Sequence, residues 1–164
     1  MKSIRIAASL MVLLAATTVV AQSNAQKTFD TLKALTGSWE SKTSDGHTAK
    51  VEFRVTAGGS ALMSEFLGEG PENMITMFHL DGDRLLMTHY CGAGNQPRMV
   101  GTISPDGKTA TFNFLDATNL ANPQAGHMHH VVFTLADASH HTEEWSFMQD
   151  GKEMKDVFDM HRKN

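Results

Sequence analysis

Short segments that alternate apolar and polar residues, or are rich in β-forming residues, follow one another along most of the chain. Such a period-two pattern, broken by turn residues, predicts β-strands. We expect ten strands, at residues 38–43, 48–55, 60–67, 73–80, 83–90, 96–104, 108–116, 127–135, 140–149 and 152–161. Turn sequences containing Asp-Gly, at 81–82, 105–107 and 150–151, indicate tight hairpins between neighbouring strands.

A single short helix is predicted before the first strand. Phe29, Leu32 and Leu35 recur at a spacing of three and make one apolar stripe over residues 28–36, which Gly37 would end. Sequential antiparallel strands leave two open edges unless the sheet closes on itself. We therefore predict an all-β fold, an up-and-down antiparallel β-barrel of about ten strands with a short N-terminal helix. A two-sheet sandwich is the rival fold.

The first residues of the chain have the pattern of an export signal. Lys2 and Arg5 are followed by an apolar run at 6–20 and by small residues at Ala21 and Ala25. The run is shorter than the ~20 residues of a membrane-spanning helix. We expect residues 1–26 to be a cleavable signal peptide and 27–164 to form one β-barrel domain. The protein is then exported, either periplasmic or secreted, without a membrane span.

Charge and cysteine content narrow the possible partners. The chain has 14 basic and 18 acidic residues. Without Lys2 and Arg5, the remaining 12 basic and 18 acidic residues give a net charge of −6 with histidine neutral. An acidic surface does not favour nucleic acid, which rewards a basic patch. Cys91 is the only cysteine, so an internal disulfide is excluded.

Two local sequences carry a resemblance to a known superfamily. One is Gly37-Ser38-Trp39 at the first strand. The other is Leu80-Asp81-Gly82-Asp83-Arg84-Leu85, followed by Thr88-His89-Tyr90-Cys91 and Gly94-Asn95-Gln96-Pro97-Arg98-Met99. With the helix and the run of hairpins, they resemble the calycin superfamily, and in particular uncharacterised lipocalin-like exported proteins of bacteria. The resemblance covers nearly all of residues 27–164 and implies a fold more than an activity.

The turns also predict which side chains face each other inside the barrel. Side chains alternate along a strand, and the turn length sets the register of a hairpin. We counted outward from turns at 105–107, 137–139 and 150–151. The predicted inward pairs are Val100 with Phe112, Arg98 with Phe114, Gln96 with Asp116, Phe133 with Glu143, Val131 with Trp145, His129 with Phe147, Phe147 with Met154, Trp145 with Asp156, Glu143 with Phe158 and His141 with Met160.

Inward polar groups beside aromatic side chains predict a small-molecule site near the barrel mouth. The candidate ligand-binding residues are His89, Gln96, Arg98, Phe112, Phe114, His129, Glu143, Trp145, Phe147 and Phe158. The ligand is expected to be partly apolar, and Arg98 would suit an anionic group on it. His89 and His129 would be its hydrogen-bond partners. We expect His89, Arg98 and His129 to surround one opening.

Two other functions fit the same sequence. Histidines at the mouth could hold a metal ion or haem, because imidazole is a common metal ligand. An enzyme could use Arg98, His129 and Glu143 together. The binding protein is the preferred interpretation, with no cofactor, no metal ligand and no catalytic residue assigned. It would be a monomer or homodimer.

Overall fold

The computed structural model describes residues 22–42, 47–67 and 73–163. Over these residues, one α-helix is followed by ten antiparallel strands that close into a barrel. Each strand pairs with its neighbours in the sequence, and β1 pairs with β10. The elements are α1 (Asn24–Lys33), β1 (Gly37–Lys42), β2 (Thr48–Thr56), β3 (Ala61–Leu67), β4 (Met74–Asp81), β5 (Arg84–Tyr90), β6 (Gln96–Ile103), β7 (Thr109–Thr118), β8 (His127–Leu135), β9 (His140–Gln149) and β10 (Lys152–Arg162). The predicted up-and-down barrel is thereby confirmed, and the sandwich is excluded.

Helix α1 begins earlier than predicted. Its first turn is capped by Ser23, whose hydroxyl accepts a hydrogen bond of 3.1 Å from the backbone N–H of Gln26. The apolar spacing alone did not reveal this cap. The predicted signal run at 6–20 lies outside the described residues. No helix in the described part of the chain is long and apolar enough to cross a membrane.

The helix supplies one end of the hydrophobic core. It packs against β2, β4, β5 and β6. Phe29, Leu32 and Leu35 are almost fully buried in the same apolar cluster as Trp39. The indole Nε1 of Trp39 donates a hydrogen bond of 2.6 Å to the carbonyl oxygen of Leu35. This contact ties the first strand to the chain that leaves the helix.

The barrel is closed by contacts between its first and last strands. The ladder between β1 and β10 has two residue pairs, Trp39 with Arg162 and Glu40 with His161. The Arg162 guanidinium lies over the Trp39 ring, 4.2 Å from its centroid. It also donates hydrogen bonds of 2.7–3.0 Å to the carbonyl oxygens of Ala34, Thr36 and Ala138. One side chain therefore joins the helix exit, the β8–β9 turn and the end of β10.

The predicted register of the β6–β7 hairpin is wrong by one residue. Ser104 N–H donates to the carbonyl oxygen of Thr109, so the turn comprises the four residues 105–108 instead of three. Gly101, and not Val100, is therefore opposite Phe112. A one-residue slip moves every side chain of a strand to the other face. Arg98, predicted to face the interior, accordingly lies on the outer surface.

Two β-bulges change the faces of neighbouring strands in the same region. Leu115 is the extra residue between the pairs Met99–Phe114 and Arg98–Asp116. His129 is the extra residue in β8, between Met128 and His130, so it is not opposite Phe147 as predicted. A bulge places two residues against one and redirects the side chains beyond it. Asp116 is therefore also outside the barrel.

Replacing Arg162 with methionine should destabilise the barrel by about 3 kcal/mol. The change keeps the bulk of the side chain but leaves three carbonyl oxygens without their charged donor and removes the cation–π contact. Urea denaturation would measure the free energy of unfolding. Arg84→Met is the matched control, since Asp81 is the one ion-pair partner of Arg84 within the described residues, at an exposed turn, and such pairs contribute little. Equal losses in both variants would contradict the role of Arg162 in closure.

Candidate functional site

A cavity opens inside the barrel between strands β2–β5 and β8–β10. Its volume is about 80 Å³. The apolar lining residues are Val51, Phe66, Met74, Met128, Trp145 and Phe158. The polar lining residues are Ser64, Thr76, His89, Glu143 and Asp156. An apolar pocket with a few polar groups that converge on it is the usual form of a small-molecule site.

His89 is the polar group of the cavity with an unused hydrogen-bonding position. Its ring is 3% exposed. Nδ1 shares a hydrogen bond of 2.9 Å with the hydroxyl of Thr76, which lies directly opposite on β4. Nε2 is buried and has no hydrogen-bond partner among the described residues. Burial lowers the pKa of His89 from 6.5 to about 4, so the ring is neutral at pH 7.

Glu143 is a carboxylate that the protein itself holds in place. It is 2% exposed. His141 Nε2 lies 3.0 Å from Oε1, and Trp145 Nε1 donates a hydrogen bond of 2.9 Å to Oε2. All three residues point inward because they occupy alternate positions of β9. The two partners compensate part of the cost of burying a carboxylate, so Glu143 has a defined orientation beside the cavity.

The acidic side chains of the cavity lining are not accompanied by basic ones. Among the described residues that line it, none is lysine or arginine, whereas Glu143 and Asp156 each present a carboxylate. Asp156 lies opposite Trp145, as the turn at 150–151 predicts. The cavity therefore offers hydrogen-bond acceptors and one neutral imidazole, and nothing in its described lining would neutralise an anion.

The structure places the ten predicted site residues in several different environments. His89, Glu143, Trp145 and Phe158 line the cavity. Arg98 is 45% exposed and forms an ion pair with Asp116 on the outer surface. The mutual hydrogen bonds raise the pKa of Arg98 and lower that of Asp116. The prediction that Arg98 faces the interior is therefore wrong.

The other five residues lie outside the cavity lining. Phe112 is fully buried in the apolar core, between Phe78 and Phe133. Gln96 Oε1 accepts a hydrogen bond from the Thr118 hydroxyl on the neighbouring strand. Phe147 is half-buried and packs against the backbone of Gly126, where a Cβ would clash with its ring.

Phe114 and His129 lie in a surface groove beyond the end of the β7–β8 ladder. Their rings stack, with centroids 5.2 Å apart, and His127 completes the group. Neither side chain lines the cavity, so His89, Arg98 and His129 do not surround one opening as predicted. Arg98, His129 and Glu143 are likewise not brought together.

Sequence reasoning missed the part of the cavity that β3 and β4 provide. Ser64 with Phe66, and Met74 with Thr76, are pairs two residues apart and share the inner face of their strands. A hairpin turn at or near 81–82 puts Thr76 and His89 on the same face of the sheet. This holds even if the turn lies one residue further along, because a register shift of two residues does not change the face. Extending the count to that hairpin would have found Thr76.

Comparison with known proteins leaves the family of this chain open. No protein-family model matches the sequence, and no curated protein matches it significantly.

His89 should make the stability of the protein depend on pH between 6.5 and 4. Its pKa is about 4 in the folded protein and 6.5 in an exposed ring, so the unfolded chain takes up the proton first as the pH falls. The free energy of unfolding should then decrease by roughly 3 kcal/mol over that interval and stay constant above it. Urea denaturation at several pH values should show a decrease that is roughly 3 kcal/mol larger in the wild type than in His89→Gln, where groups such as His129 and Asp116 still contribute. The same pH dependence in both proteins would contradict the assignment.

Proposed function

We propose that this protein is an exported, small-molecule-binding barrel whose ligand occupies the cavity beside His89. The observation that supports the proposal most directly is the buried Nε2 of His89, which has no partner among the described residues. A buried polar atom without a partner costs about 1–3 kcal/mol. A ligand that supplies the missing hydrogen bond recovers this energy, so the cavity favours a molecule with a polar group at that point.

The size of the cavity limits the ligand. About 80 Å³ is well below the ~300 Å³ at which pockets for drug-sized molecules begin. A ligand of few atoms, or the narrow end of a longer one, fits this space. Met74 and Met128 line the cavity, and their unbranched side chains adapt readily to the shape of an apolar group.

The charge of the cavity changes the expected class of ligand. An anionic group was expected because Arg98 was predicted to face inward. With Arg98 outside, an anion would meet Glu143 and Asp156 without a cation to offset them. An uncharged or cationic molecule suits the site, with its apolar part against the packed rings of Phe66 and Phe158 and its hydrogen-bonding group towards His89.

Three molecules with the same four-carbon chain should separate by charge: 1-butanol, butylamine and butyrate. Butyrate should bind about tenfold or more weakly than either of the others, because like charges in contact cost several kcal/mol. Titration followed by NMR shifts of the His89 ring and the Trp145 Nε1–H would measure the three affinities. Tightest binding of butyrate would contradict the proposed charge preference, and no shift with any of the three would contradict the proposed site.

A matched pair of variants tests whether the cavity holds the ligand. Ser64→Leu places an apolar side chain in the lining and should abolish binding of butanol. Thr102→Leu makes the same kind of change at an exposed position of β6 and should leave binding unchanged. Both proteins should show a wild-type far-UV circular dichroism spectrum. Equal binding to both variants would assign the ligand to another place.

For the export signal, we propose cleavage after Ala21. Cleavage after Ala25, the other small residue, would remove the Ser23 cap and also Ala25 itself, which is 6% exposed and part of the core cluster. Peptidase cleavage after Ala21 leaves the whole of α1 intact. Because a lost cap costs about 1 kcal/mol, the later site would yield a less stable domain.

The mature protein should therefore begin at Gln22. Intact-mass measurement of the protein secreted by the cell or recovered from its envelope would identify the first residue. A start at Gln26 would contradict the argument from α1, and recovery of the unprocessed chain alone would contradict export by this signal.

A further inference from the structure

Three potential metal ligands lie together on the outer face of β9 and β10. His140, Asp159 and His161 each offer one potential ligand atom, and these atoms lie within 4.8 Å of one another. His140 is directly opposite His161, and their rings stack in parallel with centroids 4.7 Å apart. Asp159 is hydrogen-bonded to Nε2 of His140, and its other oxygen lies 3.4 Å from Nε2 of His161. This group is separate from the cavity.

The distances are close to those that one metal ion requires. Zinc binds imidazole nitrogen and carboxylate oxygen at about 2.0–2.2 Å in a tetrahedral arrangement, so two ligand atoms of one ion are ~3.4 Å apart. A separation of up to 4.8 Å closes to this value only if the side chains rotate towards one another. The side chains have room for such rotations, because their exposed fractions range from 34% to 62%.

A fourth ligand, a carboxylate oxygen, is available from the first strand. Glu40 of β1 is directly opposite His161. Facing side chains of neighbouring strands have Cβ atoms about 4.5–5.5 Å apart, which brings the carboxylate within reach of the same point. Lys163 is the cation that faces this group, with Nζ 3.7 Å from a Glu40 oxygen. It would have to release Glu40 when an ion binds.

We propose that His140, Asp159 and His161, with Glu40, bind a divalent transition-metal ion such as Zn²⁺, and that the ion clamps the seam of the barrel. Two imidazoles and two carboxylates form a donor set that suits zinc. The ligands come from β9, β10 and β1, so the bound ion links three adjacent strands. The link crosses the β1–β10 ladder, which has only two residue pairs among the described residues. An ion that binds the closed barrel alone stabilises it by mass action.

The direct test is calorimetric titration of the tag-free, EDTA-treated protein with zinc chloride. The wild type should bind one equivalent. Asp159→Asn and His161→Gln should each weaken binding by about tenfold or more, because each removes a ligand. His130→Gln is the matched control, since His130 is a half-buried histidine on β8 that shares a hydrogen bond with the Asn113 side chain and lies outside the proposed ligand set. It should bind zinc as the wild type does.

A second variant pair separates this group from the other pair of adjacent histidines. His127 and His129 have ring nitrogens 3.3 Å apart and could hold zinc by themselves. The proposal predicts that His129→Gln binds zinc normally. Loss of binding in His129→Gln with normal binding in His161→Gln would overturn it, as would the absence of saturable binding at micromolar zinc.

Thermal unfolding tests the clamp itself. Zinc should raise the unfolding midpoint of the wild type and leave that of Asp159→Asn unchanged. Glu40→Gln should bind zinc more weakly and show a smaller rise in the midpoint, because the link to β1 is lost. Binding without a rise in the midpoint, or an unaltered response in Glu40→Gln, would overturn the role of the ion at the seam.

Discussion

The fold depends on joining the two ends of the chain, because a ten-stranded sheet becomes a barrel only when β1 pairs with β10. That ladder is short, and the contact between Trp39 and Arg162 compensates for it. The guanidinium needs space, which Gly37 provides: a Cβ there would lie 2.7 Å from the Arg162 Nη1. Gly37 also has a φ of 127°, which disfavours any other residue. The Gly-x-Trp sequence is thus one half of a closing device whose other half is Arg162.

One strand connects this closure to the cavity. The inward positions of β9 are occupied in turn by His141, Glu143 and Trp145. The His141 ring packs edge-on against the Trp39 ring, with centroids 4.3 Å apart. The centroids of the Trp145 and His89 rings are 5.1 Å apart. Between them, Glu143 accepts a hydrogen bond from Trp145 and lies against His141. Polar groups in the middle of the barrel therefore have fixed orientations because the apolar end of the barrel is well packed.

Strand pairs counted from a turn are correct where the length of that turn can be read from the sequence. The turn at 150–151 has an unambiguous two-residue hairpin sequence, and all the pairs counted from it are correct, including Glu143 with Phe158. Only the prediction that Met154, opposite Phe147, faces the interior is wrong, because its side chain is exposed at the end of β10. The turn near 105–107 contains one residue more than its Pro-Asp-Gly sequence indicates, and this difference turned Arg98 from the inside to the outside. Bulges have no clear sequence pattern, so the displacement of His129 could not be found by counting. A one-residue slip leaves the predicted order of the strands unchanged. It does change which side chains face the interior, and therefore which residues can form a site.

Glu143 and His89, two of the buried polar residues that line the cavity, differ in the hydrogen bonds that they still lack. Glu143 has two protein partners, so a ligand gains little by contacting it and loses if it carries negative charge. His89 has one partner, Thr76, and its second nitrogen has none among the described residues. Burial also lowers the pKa of His89, so the ring is neutral and can form a hydrogen bond with an uncharged group. A ligand in the cavity would therefore gain a hydrogen bond mainly at one atom, His89 Nε2, and its apolar part would contact Phe66, Trp145 and Phe158.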